Sequence, residues 1–235
     1  MQGRLLDGLM ELVFPTRCVG CESYGVLLCG TCRAALQPID PVTACPRCGA
    51  PYGSLVCTEC TGRDGRVPFS FSAARCAFSF NETLARLVVG YKDHDERRLA
   101  ACIAGFLAEA LPGAWLEWAD AVTYIPANRA ALRRRGFDHM RDVAAALASQ
   151  TGQAFAELLA KGSAGDQRAL GRSQRAANLA GAFRVAATPF ARDMPAHVIV
   201  LDDVLTTGAT LNAASEALVC AGVLEVRVAT LARVW

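Results

Sequence analysis

Apolar positions along the chain follow two rhythms. Short runs rich in β-branched and small residues recur as "SAARCAFSF" (72–80), "ADAVTYIP" (119–126), "AFRV" (182–185), "HVIVLDDV" (197–204) and "EVRVATLARVW" (225–235). Each is too short for a helix and is bounded by turn residues, which predicts strands. Between them lie segments of helical period. "NETLARLVVGYKDHDERRLAACIAGFLAEAL" (81–111) reads as two helices. Asn81 is the N-cap, Leu84, Leu87 and Val88 form the apolar stripe, "KDHDERR" is a polar connection and Leu111-Pro112-Gly113 is the stop. "FDHMRDVAAALASQTG" is a helix stopped by Gly152, and "GATLNAASEALVCAG" is another. Apolar strands alternating with helices predict an α/β fold with a mostly parallel sheet flanked by helices.

Other segments break this rhythm. Leu5, Leu6, Leu9, Met10 and Val13 predict an amphipathic N-terminal helix, interrupted by Asp7 and Glu11 and so unlike a signal-peptide core. "KGSAGDQRALGRSQRAANLAG" (161–181), with glycines at 162, 165, 171 and 181, predicts a mobile loop with a short helix around 174–179. No apolar run approaches the roughly 18 residues of a membrane helix, so a cytoplasmic protein without membrane insertion is expected.

Composition narrows the function classes. With 235 residues the chain holds one substantial domain and a small module, and 53% hydrophobic against 20% charged residues predicts a packed core. A net charge of +2 argues against wholesale electrostatic binding to nucleic acid or membrane.

Eight of the 11 cysteines precede residue 61 as four C-x-x-C pairs, Cys18/Cys21, Cys29/Cys32, Cys45/Cys48 and Cys57/Cys60. Two thiolates at this spacing on a tight turn reach one tetrahedral ion, and a second pair completes it. The pairs therefore predict two structural Zn²⁺ sites. Sequential pairing is simplest, and a crossed arrangement stays open. Disulfides do not suit a cytoplasmic chain. Residues 1–66 are expected to form this helix and double zinc-ribbon module, with metal supplying its folding energy, and 67–235 the α/β domain. Cys76, Cys102 and Cys220 are expected to be buried small hydrophobes.

The stretch "HVIVLDDVLTTGATL" carries the chemistry. Asp202 and Asp203 fall at the C-terminal end of an apolar strand, where α/β sheets bind ligands. Thr206, Thr207, Gly208, Ala209 and Thr210 lead into a helix, whose free N–H groups and partial positive charge suit a phosphate. Acid pair and loop fit one ligand bearing hydroxyls and a phosphate, such as a ribose 5-phosphate. No G-x-x-x-x-G-K or G-x-G-x-x-G is present.

"VIVLDDVLTTGAT" resembles the phosphoribosyl pyrophosphate (PRPP) motif of type I phosphoribosyltransferases. Taken with the four cysteine pairs, "YIP", "RRRGFDHMRDVAAALA" and "QRALGRSQRAANLAGAF", the chain from Cys18 to Trp235 resembles the ComF family. That family joins a zinc-ribbon module to a phosphoribosyltransferase-like domain and is tied to DNA uptake in natural transformation. The resemblance implies that Asp202 and Asp203 hold the ribose hydroxyls, that residues 206–210 hold the 5-phosphate, and that Mg²⁺ arrives with PRPP. It places Ala127, Asn128 and Arg129 in the pyrophosphate loop, with Arg135 a further pyrophosphate ligand. Arg133 to Arg135 read equally well as a solvated or nucleic-acid-binding face. Gln167, Arg168, Arg172, Arg175 and Asn178 lie in the candidate mobile loop. One departure is "RGFDH", where the family usually has an Asn-Gln pair in place of Asp138-His139. Lys92 reads as a surface lysine rather than a charge facing the site, and His139 as a cap or surface residue rather than a general base, so no general base stands out.

Two classes of function follow. One is a phosphoribosyltransferase with an unidentified acceptor. The other is a non-catalytic PRPP-sensing or single-stranded-DNA-binding component of the uptake machinery, whose zinc module docks DNA or a protein.

Overall fold

The computed structural model describes residues 15–51, 53–61, 69–162, 182–186 and 194–235. The predicted N-terminal helix and most of the candidate mobile loop, including Gln167, Arg168, Arg172, Arg175 and Asn178, lie outside the described residues. The elements run α1 Gly30–Ala34, β1 Gln37–Pro38, α2 Thr58–Thr61, β2 Ala73–Ser79, α3 Glu82–Asp93, α4 Leu99–Ala110, α5 Gly113–Trp118, β3 Ala121–Tyr124, α6 Arg129–Arg135, α7 His139–Thr151, β4 Leu159–Lys161, β5 Phe183–Val185, β6 His197–Leu205, α8 Ala209–Cys220 and β7 Glu225–Arg233.

The main sheet has the order β1-β2-β7-β6-β3. All its pairings are parallel except β1 with β2. The expected mostly parallel α/β sheet is therefore present. Its central strand explains itself. In β6, Ile199 and Leu201 face a core shared with α3, α4 and α7, while Val198 and Val200 face a second core shared with α8. A strand covered on both faces reads as a continuous apolar run rather than an alternating one.

Local signals set the element ends. Asn81 Oδ1 accepts from Leu84 N at 2.9 Å, capping α3 as expected. Gly152, at φ +74°, ends α7 in the left-handed conformation that carries no Cβ penalty there. The basic stretch after "YIP" forms α6, capped by Asn128, whose Oδ1 accepts from Ala131 N at 2.7 Å.

In the α/β domain, α5 beyond Pro112, α6 and β4 were not expected, nor were α1, β1 and α2 among the cysteines. The "AFRV" strand does form, but outside the main sheet, in an antiparallel pair with β4. Cys76 is buried as expected, whereas Cys102 is only half-buried and Cys220 is exposed. Cys220 closes α8 on the turn facing away from the second core, so an apolar helix still presents it to solvent. No helix among the described residues is long and apolar enough to cross a membrane.

Candidate functional site

The parallel register carries Asp202 beyond the last pairing of β6 with β3, Tyr124↔Leu201, and opposite Thr230 of β7. Both acids of the pair line a cavity of about 370 Å³ at the C-terminal edge of the sheet. Its other walls come from the chain after β3, from α6 and from the start of α7.

The two acids are held differently. Asp202 is half-buried and lines the cavity. Burial pushes its carboxyl up to about 7, against the pull of Lys92 and Lys161. Its Oδ1 accepts from Asp203 N at 2.9 Å. Asp203 forms an ion pair with Lys92 and receives His139 Nε2 at 3.1 Å. Burial lowers the Lys92 ammonium, opposed by Asp202. Burial, then Lys92 and Arg135, take His139 down to about 3, so its ring is neutral. His139 Nδ1 is buried and has no hydrogen-bond partner.

Sequence alone favours a surface position for Lys92 over one facing the site, and a cap or surface position for His139 over a base. The structure puts both at the acid pair. Helical phase carried the signal for Lys92, which stands four and eight residues after Val88 and Leu84 on the buried stripe of α3.

The loop after β6 lies beside the cavity. Thr206, Thr207, Ala209 and Thr210 are exposed and Gly208 is buried. Gly208 has φ +78°, and a Cβ there would lie 2.7 Å from a Phe69 ring carbon. Only glycine suits both conditions. Ala209 opens α8, whose first turn directs N–H groups that suit an anion, the Ala209 N–H itself donating to Thr207 Oγ1 at a long 3.4 Å. Thr210 also lines the main cavity, which joins loop and acid pair.

On the opposite wall, Ala127 N donates to Asp138 Oδ2 at 2.8 Å, which fixes the turn after β3. Ala127, Asn128, Arg134 and Arg135 line the cavity. Arg135 is mostly buried and lies 3.3 Å from Asp93 Oδ1. Arg129 is exposed and does not line the cavity, whereas Lys161 of β4 does. The pair that departs from the family pattern thus sits at the heart of the site, Asp138 holding the loop backbone and His139 touching Asp203.

The cysteines form two groups, Cys18/Cys21/Cys29/Cys32 and Cys45/Cys48/Cys57/Cys60, which is the sequential pairing. Their sulfurs fit zinc. Zn–S bonds of about 2.3 Å place tetrahedral sulfurs about 3.8 Å apart. Cys21 and Cys29 Sγ are 3.7 Å apart, as are Cys48 and Cys57 Sγ. Backbone amides support thiolates: Cys29 N donates to Cys18 Sγ and Cys57 N to Cys45 Sγ, each at 3.3 Å. Such bonds outweigh burial and lower Cys18 to about 6 and Cys45 to about 7.

Comparison with known proteins agrees with this layout. Residues 9–61 match the double zinc ribbon domain. The DNA utilization protein YhgH of Salmonella typhi is 27% identical over 217 residues, covering 88% of this chain and 90% of that protein. The competence protein ComFC of Streptococcus pneumoniae is 26% identical over 208 residues, covering 88% and 87%. An orotate phosphoribosyltransferase structure from Aeropyrum pernix is 19% identical, covers 73% of this chain and 71% of its own, and superposes with a TM-score of 0.37. The chain thus joins a double zinc ribbon to a mostly parallel α/β domain, with an acid pair and a threonine-glycine turn at its central strand. It is similar over most of its length to a DNA utilization protein and a competence protein, and its N-terminal part carries the double zinc ribbon.

Proposed function

We propose that the chain binds PRPP at the β6 acid pair and acts, as a ComF-type protein, in the uptake or use of DNA. The observation that carries this reading is that the cavity holding Asp202 and Asp203 adjoins the pocket of the 206–210 loop, the two sharing Asp202 and Thr210. Asp202 and Asp203 would accept from the ribose 2′- and 3′-hydroxyls. Thr206, Thr207, Thr210 and the N–H groups of Gly208 and Ala209 would donate to the 5-phosphate. Arg134, Arg135 and the backbone at 127–128 would receive the pyrophosphate. Mg²⁺ is a hard cation that takes oxygen ligands. The two carboxylates supply oxygens here, and the ion would neutralise charge on the leaving pyrophosphate. Transfer would then rest on positioning and electrostatics. His139 stays neutral at physiological pH and supplies no strong base, so the acceptor's own nucleophilicity matters.

The test is calorimetric titration of PRPP with Mg²⁺ into zinc-loaded protein, beside an Asp202→Asn/Asp203→Asn variant. Binding by the wild type and its loss in the variant support the reading. Absence of binding by a folded, zinc-replete wild type refutes it.

A second reading, single-stranded DNA binding, is favoured by Arg129, Arg133 and Arg134, all exposed on α6, of which Arg134 lines the cavity. Contacts with phosphates would give an affinity that falls steeply with salt. It would be lost in an Arg129→Ala/Arg133→Ala variant that still binds PRPP.

A further inference from the structure

The two cysteine sites stand in different relations to the rest of the chain. The first backs onto α3 and α4: Arg86 Nη1 donates to Gly20 O at 2.9 Å, and Arg33 Nη2 lies 2.8 Å from Glu109 Oε1. The second is wedged beneath the turn that ends β6. The link is Arg233, the last residue of β7, which is 4% exposed. Its Nε donates to Cys48 O at 3.1 Å. Its Nη1 donates to Leu205 O at 3.2 Å and Thr206 O at 2.7 Å, and also to Val234 O. One rigid guanidinium therefore ties the Cys45–Cys48 knuckle to the first carbonyls of the loop.

A second connection runs through Phe69. Its ring packs against the Cys45, Cys48 and Cys60 cluster and lies over Gly208. It also stacks on Phe71 with ring centroids 4.5 Å apart. Arg47, inside the same knuckle, reaches Ser72 O at 2.9 Å and Phe69 O at 3.4 Å. The Ser70 amide is held by Asn212 Oδ1, on the first turn of α8. Loop, helix start and second cysteine site are thus joined on both sides of residues 206–210.

We infer that Arg233 and Phe69 are positioning residues through which the second Cys₄ site sets the geometry of the 206–210 loop, so that phosphate binding there requires metal at this site. The inference deepens the proposed function and rests on reading 206–210 as a phosphate loop. A loop that must present N–H groups to an anion is useful only when its backbone is fixed beforehand. A buried arginine accepted by three separate backbone segments supplies that restraint, and lysine cannot reproduce its fork.

The test compares zinc-loaded wild type, Arg233→Lys, Phe69→Ala and Cys57→Ser/Cys60→Ser. It measures zinc content, amide hydrogen exchange, and separate calorimetric titrations of ribose 5-phosphate and of pyrophosphate with Mg²⁺. Arg233→Lys and Phe69→Ala should keep both zinc ions. Exchange should accelerate about ten-fold at 205–211 in all three variants while staying at the wild-type rate in β3. Ribose 5-phosphate binding should weaken by about ten-fold with pyrophosphate binding unchanged, a split that general destabilisation does not produce. Wild-type exchange at 205–211 in Phe69→Ala or in the cysteine variant overturns the inference, as does equal acceleration in β3. Should Arg233→Lys fail to fold, Phe69→Ala carries the test. A wild type that binds neither ligand, with loop exchange still responding, refutes the phosphate reading and leaves the mechanical link standing.

Discussion

Asp202→Asn should make this protein more stable while abolishing its affinity for PRPP. Burial at the end of β6 raises the Asp202 carboxyl from 3.8 to about 7. An acid whose folded pKa lies above its unfolded one holds its proton in the fold after the unfolded chain has released it. Stability from this group therefore falls as pH rises from about 4, and the fall is complete above about 7. About three pKa units at 1.36 kcal/mol each give about 4 kcal/mol over the whole titration, of which about 2.5 kcal/mol falls between pH 5 and pH 8. Solvent at the cavity mouth reduces the observable part to about 1–2 kcal/mol. Asparagine is neutral throughout, and its Oδ1 can keep the bond from Asp203 N. Urea unfolding of both proteins at pH 5 and pH 8 checks this, because any pH response of the zinc sites is common to both and cancels in the difference. The variant should gain about 1–2 kcal/mol on the wild type between the two pH values. A difference that is constant with pH, or that runs the other way, would refute the burial argument. It would mean that Asp202 is ionised and well solvated in the free protein.

Three other outcomes follow from the same geometry. Lys92→Met keeps the side-chain volume but strips Asp203 of its ammonium partner, and should cost about 2 kcal/mol in chemical denaturation at pH 8; an unchanged midpoint would show that the pair contributes nothing. Gly208→Ala forces a Cβ into the left-handed region and 2.7 Å from Phe69, so stability should fall by about 1–3 kcal/mol together with ribose 5-phosphate affinity. Elemental analysis should find two zinc ions per chain, and chelation should lower the melting temperature sharply; a single ion would contradict the two Cys₄ groups.

What could be read from the sequence was what neighbours along the chain decide. The cysteine pairs, the Asn81 cap, the Gly152 stop and the acid pair before a threonine-glycine turn are all local patterns, and each appears where its chemistry requires. The partners of the acid pair are not local. Lys92 arrives from α3 to pair with Asp203, while His139 from α7 and Lys161 from β4 line the cavity, and only the tertiary packing brings them to the acid pair. A lysine in a polar connection and a histidine beside a helix start look like surface residues until that packing is known. The β4–β5 pair shows the same limit. Three-residue strands carry too little periodicity to be found, and which sheet they join depends on tertiary contacts. Zinc pairing likewise stayed open because spacing permits either scheme, while the grouping of sulfurs in space does not.

The cysteine-rich region does more than bind metal. Between its two sites the chain runs through β1, which pairs with the outer edge of β2. An unpaired edge strand is a template for unwanted association, and a short antiparallel cover containing Pro38 blunts it. The residues around β1 are shared with the α/β cores: Leu36 packs with Phe78 and Phe106, and Ile39 and Ala44 pack with Phe71 and Cys76. Asn81, the cap of α3, also donates through Nδ2 to Ala35 O at 2.9 Å. The same side chain thus starts a helix that carries Lys92 to the acid pair and grips the segment joining the two zinc sites. Apolar surface, edge pairing and a helix cap all cross between the ribbon and the sheet. Packing and backbone pairing therefore run without a break from the cysteine-rich region into the sheet that carries the acid pair.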